Sequence, residues 1–142
     1  MLFAKILLAF TAVMWISYGL WLFINPQALA YSGLGIEHWS AIVEVQAMYG
    51  LGEAALGVFA LLGVLFPKRY LHSALLLWCM LYSALAAGRI IGILQWEGSF
   101  LIELGAAGLP ESYNAGALYF LELPSAILFA IALLKTRAKK DI

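Results

Sequence analysis

The segment SAIVEVQAMYGLGEAALGVFALLGVLF, residues 40–66, decides the class of fold. It is mainly apolar over more than the roughly 20 residues that an α-helix needs to cross a bilayer. It also contains two carboxylates, Glu44 and Glu53. Ionisable side chains inside a membrane are costly and face protein or water. The segment therefore predicts a membrane helix whose polar side chains turn towards other helices.

The composition of the whole chain supports this interpretation. Of 142 residues, 65% are hydrophobic and 11% are charged, and the formal net charge is +0 at pH 7. A soluble domain carries about 25% charged residues, so this chain lacks the polar side chains to cover a soluble surface. Because the net charge is zero, no general attraction to nucleic acid is expected, and we predict no nucleic-acid partner.

Four segments are long and apolar enough to cross a membrane, and they are called the first to fourth spans below: residues 6–24, 40–66, 71–95 and 115–134. The first run is longer than the apolar core of a signal peptide, so we expect it to be retained. The predicted fold is an all-α, polytopic membrane four-helix bundle. We expect residues 1–142 to form a single four-span transmembrane domain.

The basic residues predict the orientation. Every Lys and Arg except Arg89 flanks a span on one side, whereas the connections 25–39 and 96–114 contain neither. The positive-inside rule then places both the N and C termini in the cytoplasm. Residues 96–114 are half apolar, and both an interfacial helix and an ordered loop fit that pattern.

Arg89 lies within the third span and needs partners, because intramembrane charges usually pair. At a helix rise of about 1.5 Å per residue, Glu44, Arg89 and Glu122 fall in one layer of the outer third of the membrane. We therefore expect Arg89 to pair with Glu122 and with either Glu44 or Gln46. Four aromatic residues are expected to line the resulting outward-opening pocket: Trp15, Tyr18, Tyr49 and Tyr119.

Glu53 lies about 14 Å deeper than Glu44 by the same count. It shares a helical stripe with the small residues Gly50, Gly57 and Ala60, which permit close helix contact. We expect Glu53 to lack a cation and to hydrogen-bond Tyr82, Thr11 or a backbone carbonyl. Helical phase also predicts an inward face on each of the last two spans, formed by Trp78, Tyr82, Arg89 and Trp96 and by Ala115, Leu118, Glu122, Ala126 and Phe129. The predicted ligand-binding or polar centre consists of Arg89, Glu122, Glu44, Gln46, Tyr49, Glu53 and Tyr82.

Three short motifs resemble an uncharacterised, DoxX-like family of small four-span bacterial membrane proteins. The motifs are EVQAMYGLG in the second span, GRIIG in the third and LEL in the fourth. The family pattern is Glu-x-Arg-Ala-x-Tyr-Gly-Gly, then Gly-Arg-x-x-Gly, then Glu, and the resemblance runs from about residue 10 to 134. Gln46 and Leu51 depart from it, where the family has Arg and Gly. The resemblance implies the fold, a polar centre and the bacterial inner membrane, but no substrate.

No catalytic motif is present, which favours a non-catalytic protein. His38 and His72 fall on opposite sides of the membrane, so they cannot share a metal, and we expect neither a metal nor a cofactor. Three functions remain open. The first is an accessory or structural subunit of a membrane assembly. The second is a binding module for an amphipathic lipid, quinone or carboxylate. The third is a proton-coupled transporter that acts as a homo-oligomer. The predicted partners are the bilayer, other membrane subunits, further copies of the chain, and such a ligand.

Overall fold

The computed structural model describes residues 1–33, 35–96 and 109–137, and it confirms the all-α class. Four helices are long and apolar enough to cross a membrane: Leu2–Ile24, Trp39–Leu65, Pro67–Gln95 and Tyr113–Thr136. No strand occurs in the described ranges. The protein is therefore a multi-pass membrane protein, with four candidate spans in the described ranges.

Two of the spans are not regular α-helices. The second runs as α-helix Trp39–Glu44, π-helix Val45–Gly52 and α-helix Glu53–Leu65. The fourth follows the same plan, with α-helix Leu109–Gly116, π-helix Ala117–Glu122 and α-helix Leu123–Arg137. A π turn adds one residue to the repeat, so it rotates the side chains that follow it relative to an ideal α-helix.

The other elements are regular. The first span is one α-helix, Leu2–Ile24, and a short 3₁₀ helix, Pro26–Ser32, follows it. The third span belongs to the α-helix Pro67–Trp96. Most of the connection 96–114, with its two predicted alternatives, and the side chain of Trp96 lie outside the described part of the chain.

The first and second spans touch backbone to backbone, as the stripe of small residues predicts. A Cβ atom added at Gly19 would lie 2.5 Å from the carbonyl oxygen of Gly50. One added at Gly57 would lie 2.8 Å from the backbone nitrogen of Ile16. These distances are too short for any side chain, so glycine is required for this contact.

An aromatic core joins the third and fourth spans. Trp78, Tyr82 and Phe129 are all buried, and the rings of Tyr82 and Phe129 stack with centroids 5.7 Å apart. Ala115, Leu118 and Glu122 are also buried on the fourth span. The inward faces expected from helical phase are therefore present for these residues.

The orientation with both termini in the cytoplasm stays a prediction, and reporter fusions test it. Alkaline phosphatase, which folds only outside the cytoplasm, should be active when inserted after residue 102 and inactive when fused after Ile142. Insertion after Lys68, between the second and third spans, is the control and should also be inactive. The opposite pattern would reverse the orientation.

Candidate functional site

A cavity of about 770 Å³ opens between the four spans and the 3₁₀ helix Pro26–Ser32. In the described part of the chain, three charged residues line it, and each comes from a different span: Glu53, Arg89 and Glu122. Five large aromatic residues line it as well: Trp15, Tyr18, Tyr31, Tyr49 and Tyr113. Pockets that bind small molecules typically combine such apolar walls with a few converging polar groups.

The predicted ion pair between the third and fourth spans is present. Nε of Arg89 donates to Oε1 of Glu122 at 2.6 Å, and Nη1 of Arg89 donates to Oδ1 of Asn114 at 2.5 Å. The guanidinium carbon also lies 5.3 Å from the centre of the Tyr113 ring, a cation–π distance. Three contacts therefore hold the arginine side chain in one place.

Glu122 lies in the π-helical turn of the fourth span and is buried. The N–H of Leu123 bonds to the carbonyl of Leu118, five residues earlier. Pro124 follows directly, and a proline ring cannot sit against the carbonyl of residue i−4 in a regular α-helix, here Phe120. The wider π turn accommodates the proline, and it presents Glu122 to the third span. The Oε2 atom of Glu122 is buried without a hydrogen-bond partner among the described residues.

Glu53 faces the same cavity as Arg89 and Glu122. Its Oε2 atom is buried, and no described residue gives it a hydrogen bond. The expected bond to Tyr82 is not formed; the Tyr82 hydroxyl accepts from Nε1 of Trp15 at 2.8 Å instead. Glu53 was expected to lie deeper in the membrane than Arg89 and Glu122. The cavity is nevertheless large enough for all three side chains to line it.

Glu44 and Gln46, which we expected beside Arg89, lie away from the cavity. Glu44 is the last residue before the π turn and is exposed. Nε2 of Gln46 donates to the carbonyl oxygen of Phe23 at 2.9 Å. That carbonyl is in the last turn of the first span, where the helix itself supplies no partner. Gln46 therefore ties the second span to the end of the first.

Of the remaining predicted residues, Tyr49, Tyr18 and Trp15 line the cavity. Tyr119 is 38% exposed and is not part of the lining. Tyr82 lies in the aromatic core and is not part of the cavity lining. Its hydroxyl is hydrogen-bonded to Trp15, which does line the cavity.

A cluster of aromatic residues lies at the cavity beside the 3₁₀ helix. The hydroxyl groups of Tyr18 and Tyr31 are hydrogen-bonded to each other. The Tyr31 ring meets Tyr113 edge to face, with centroids 5.0 Å apart, and stacks on Trp21. Burial raises the pKa of Tyr31 above its ordinary value, so its hydroxyl stays protonated at neutral pH.

Three residues that contact Arg89 or the aromatic cluster are not predicted from the sequence: Tyr31, Tyr113 and Asn114. All three lie outside the span boundaries that hydropathy predicts, and each was assigned to a connection. The position of Tyr113 and Asn114 could have indicated their role. Both directly precede the fourth span, which contains Glu122, the predicted partner of Arg89.

Comparison with known proteins places the chain in a family. The model of the family described as a domain of unknown function (DUF4345) matches residues 3–121. Searches of curated proteins and of solved structures found no match. The matched range contains every cavity-lining residue except Glu122, which follows it immediately. The chain therefore belongs to the family of the domain of unknown function DUF4345.

Proposed function

We propose that this protein is a membrane-embedded binding module for an amphipathic small molecule. The observation that carries the proposal is the cavity of about 770 Å³, in which Glu53, Arg89 and Glu122 meet among aromatic walls. This volume lies within the roughly 300–1,000 Å³ typical of small-molecule sites.

The arrangement of the walls suits a molecule with a polar head and an apolar body. The charged side chains offer contacts to a head group, whereas Met14, Leu85 and Leu121 provide apolar surface. Buried charges in a membrane protein are expensive and mark sites of function or of specific packing. Packing alone accounts for the pair of Arg89 and Glu122, but it does not account for the cavity or for the unpaired carboxyl of Glu53.

The role of accessory or structural subunit needs no cavity, so the geometry favours ligand binding over it. Transport by a homo-oligomer has less support, because Arg89 is held in place by its ion pair with Glu122. A non-catalytic role, a relation to DoxX-like proteins and a location in the bacterial inner membrane remain parts of the proposal.

Filling the cavity from Gly116 tests the proposal. Gly116 lines the cavity, and a Cβ atom added there meets nothing within 4 Å. Leucine at this position should therefore occupy ligand space without disturbing the fold. Native mass spectrometry of gently extracted wild-type protein should show a bound small mass, and Gly116→Leu should lose it.

Gly88→Leu is the matched control. An added Cβ at Gly88 also meets nothing within 4 Å, and Gly88 is not part of the cavity lining. This variant should keep the bound mass. Equal occupancy of Gly116→Leu and Gly88→Leu would contradict the proposal, as would a wild-type protein that carries only a partner polypeptide.

A further inference from the structure

We propose that the ligand is a cationic amphiphile, with an ammonium head that binds at the carboxyl of Glu53. This inference rests on the proposed function and narrows its ligand class. The sequence alone left lipid, quinone and carboxylate ligands open, and the charges around the cavity distinguish between these classes.

Arg89, the arginine that lines the cavity, already has partners within the protein. Its Nε and Nη1 groups donate to Glu122 and Asn114, and its guanidinium plane faces Tyr113. The charge of Arg89 is already balanced by the carboxylate of Glu122 at 2.6 Å, so an anionic head group at its other N–H groups would gain no unbalanced positive charge. Such a head group would also approach a second carboxyl, that of Glu53, in the same cavity. Both effects disfavour an anion.

The unsatisfied groups of the cavity are hydrogen-bond acceptors. Glu53 and Glu122 each keep one buried carboxyl oxygen without a partner among the described residues. The free oxygen of Glu122 is closed off, since the residue is 2% exposed, whereas Glu53 is only partly buried and its carboxyl can meet a ligand in the cavity. Unpaired buried acceptors are costly, and a ligand that brings N–H donors removes part of that cost.

The formal charges agree with a cationic ligand. Among the described residues, the cavity is lined by two carboxyl groups, Glu53 and Glu122, and by one guanidinium, Arg89. The Arg89–Glu122 pair is neutral as a unit, which leaves Glu53 as the group without an ion-pair partner in the described chain. An ammonium head supplies the missing positive charge.

The aromatic walls favour the same class of head group. Trp15, Tyr18, Tyr31 and Tyr49 line the cavity together with Glu53. The faces of such rings attract cations, most strongly where the contact is shielded from water. A carboxylate surrounded by aromatic rings is the type of site that recognises organic ammonium groups. A quinone has no positive charge to gain from it.

Matched eight-carbon probes test the inference. Octylamine, octanol and octanoate share one tail and differ in the charge of the head. Each is titrated into wild-type protein in phosphatidylcholine nanodiscs at pH 7, and binding is followed by tryptophan fluorescence, because Trp15 lines the cavity. Empty nanodiscs give the correction for partition into lipid. Octylamine should bind about tenfold more tightly than octanol, and octanoate should bind more weakly than both.

Two conservative substitutions locate the effect. Glu53→Gln keeps the shape of the side chain and removes its charge, so it should weaken octylamine binding about tenfold and leave octanol binding nearly unchanged. Glu44→Gln is the same change on the same span at an exposed position outside the cavity. It should leave the octylamine affinity unchanged.

The outcomes separate this inference from the proposed function. Octanol or octanoate binding at least as tightly as octylamine would overturn the cationic class and leave the binding function intact. Equal loss of octylamine affinity in Glu53→Gln and Glu44→Gln would also overturn it. If none of the probes binds and the wild-type protein carries no small mass, both proposals fail.

Discussion

Arg89→Leu is expected to lower the free energy of unfolding by about 3 kcal/mol, because it leaves the carboxyl of Glu122 buried without its cation. Nε of Arg89 and Oε1 of Glu122 are 2.6 Å apart, and the Glu122 side chain is only 3% exposed. The change can be measured by equilibrium unfolding in mixed micelles of dodecyl maltoside and sodium dodecyl sulfate, followed by circular dichroism. Arg69→Leu is the matched control, since Arg69 is exposed next to the second span. It should have little effect on stability.

The double variant Arg89→Leu with Glu122→Leu should be more stable than Arg89→Leu alone. Removing both partners leaves no stranded charge, whereas removing one leaves a buried carboxyl without compensation. If the losses in the two single variants simply add in the double variant, the pair does not couple, and the stability argument fails.

Gly19→Ala is expected to cost about 2 kcal/mol or more, because its Cβ atom has no space. The added atom would lie 2.5 Å from the carbonyl oxygen of Gly50 and 2.6 Å from the backbone nitrogen of Ala54. Backbone atoms of a packed helix cannot move aside as a flexible side chain does, so the first and second spans must separate. The same unfolding measurement detects the loss.

Gly88→Ala is the control for this change. A Cβ atom at Gly88 meets nothing within 4 Å, and alanine is a better helix former than glycine by about 0.5–1 kcal/mol. Gly88→Ala should therefore be neutral or slightly stabilising. A Gly19→Ala protein as stable as Gly88→Ala would show that the spans are not in close contact at this position.

Helical periodicity predicts much of the site but not its full membership. Depth predicts the pairing of Arg89 with Glu122, because the rise of a helix is constant and opposite charges in one layer attract, but it places Glu44 in the same layer and does not exclude it. Phase also places Glu53 on the stripe with Gly57, and the structure agrees that Gly57 contacts the first span. The expectation that Glu44 or Gln46 joins Arg89 is wrong, since Glu44 is exposed and Gln46 donates to the carbonyl of Phe23.

The site residues that the sequence does not predict lie outside the four predicted spans. Tyr31 reaches the cavity from the 3₁₀ helix that follows the first span, and Tyr113 reaches it from the helix Leu109–Gly116. Hydropathy marks where a chain can cross lipid, but it carries no information on how polar connections fold back. Their contact depends on residues far apart in sequence, here Tyr18, Tyr31 and Tyr113.

The four apolar helices, a close helix contact along the small residues of the second span, and the Arg89–Glu122 pair are all predicted from the amino-acid sequence. These features depend on local quantities: the length of apolar runs, the size of side chains, and the depth of charges along a helix. The folded structure shows in addition that Glu53 lines the same cavity as the Arg89–Glu122 pair, whereas Glu44 and Gln46 are not part of its lining. The physical reason is the π turns at Val45–Gly52 and Ala117–Glu122. They rotate the side chains that follow them, and a count of 100° per residue along a regular α-helix does not include that rotation.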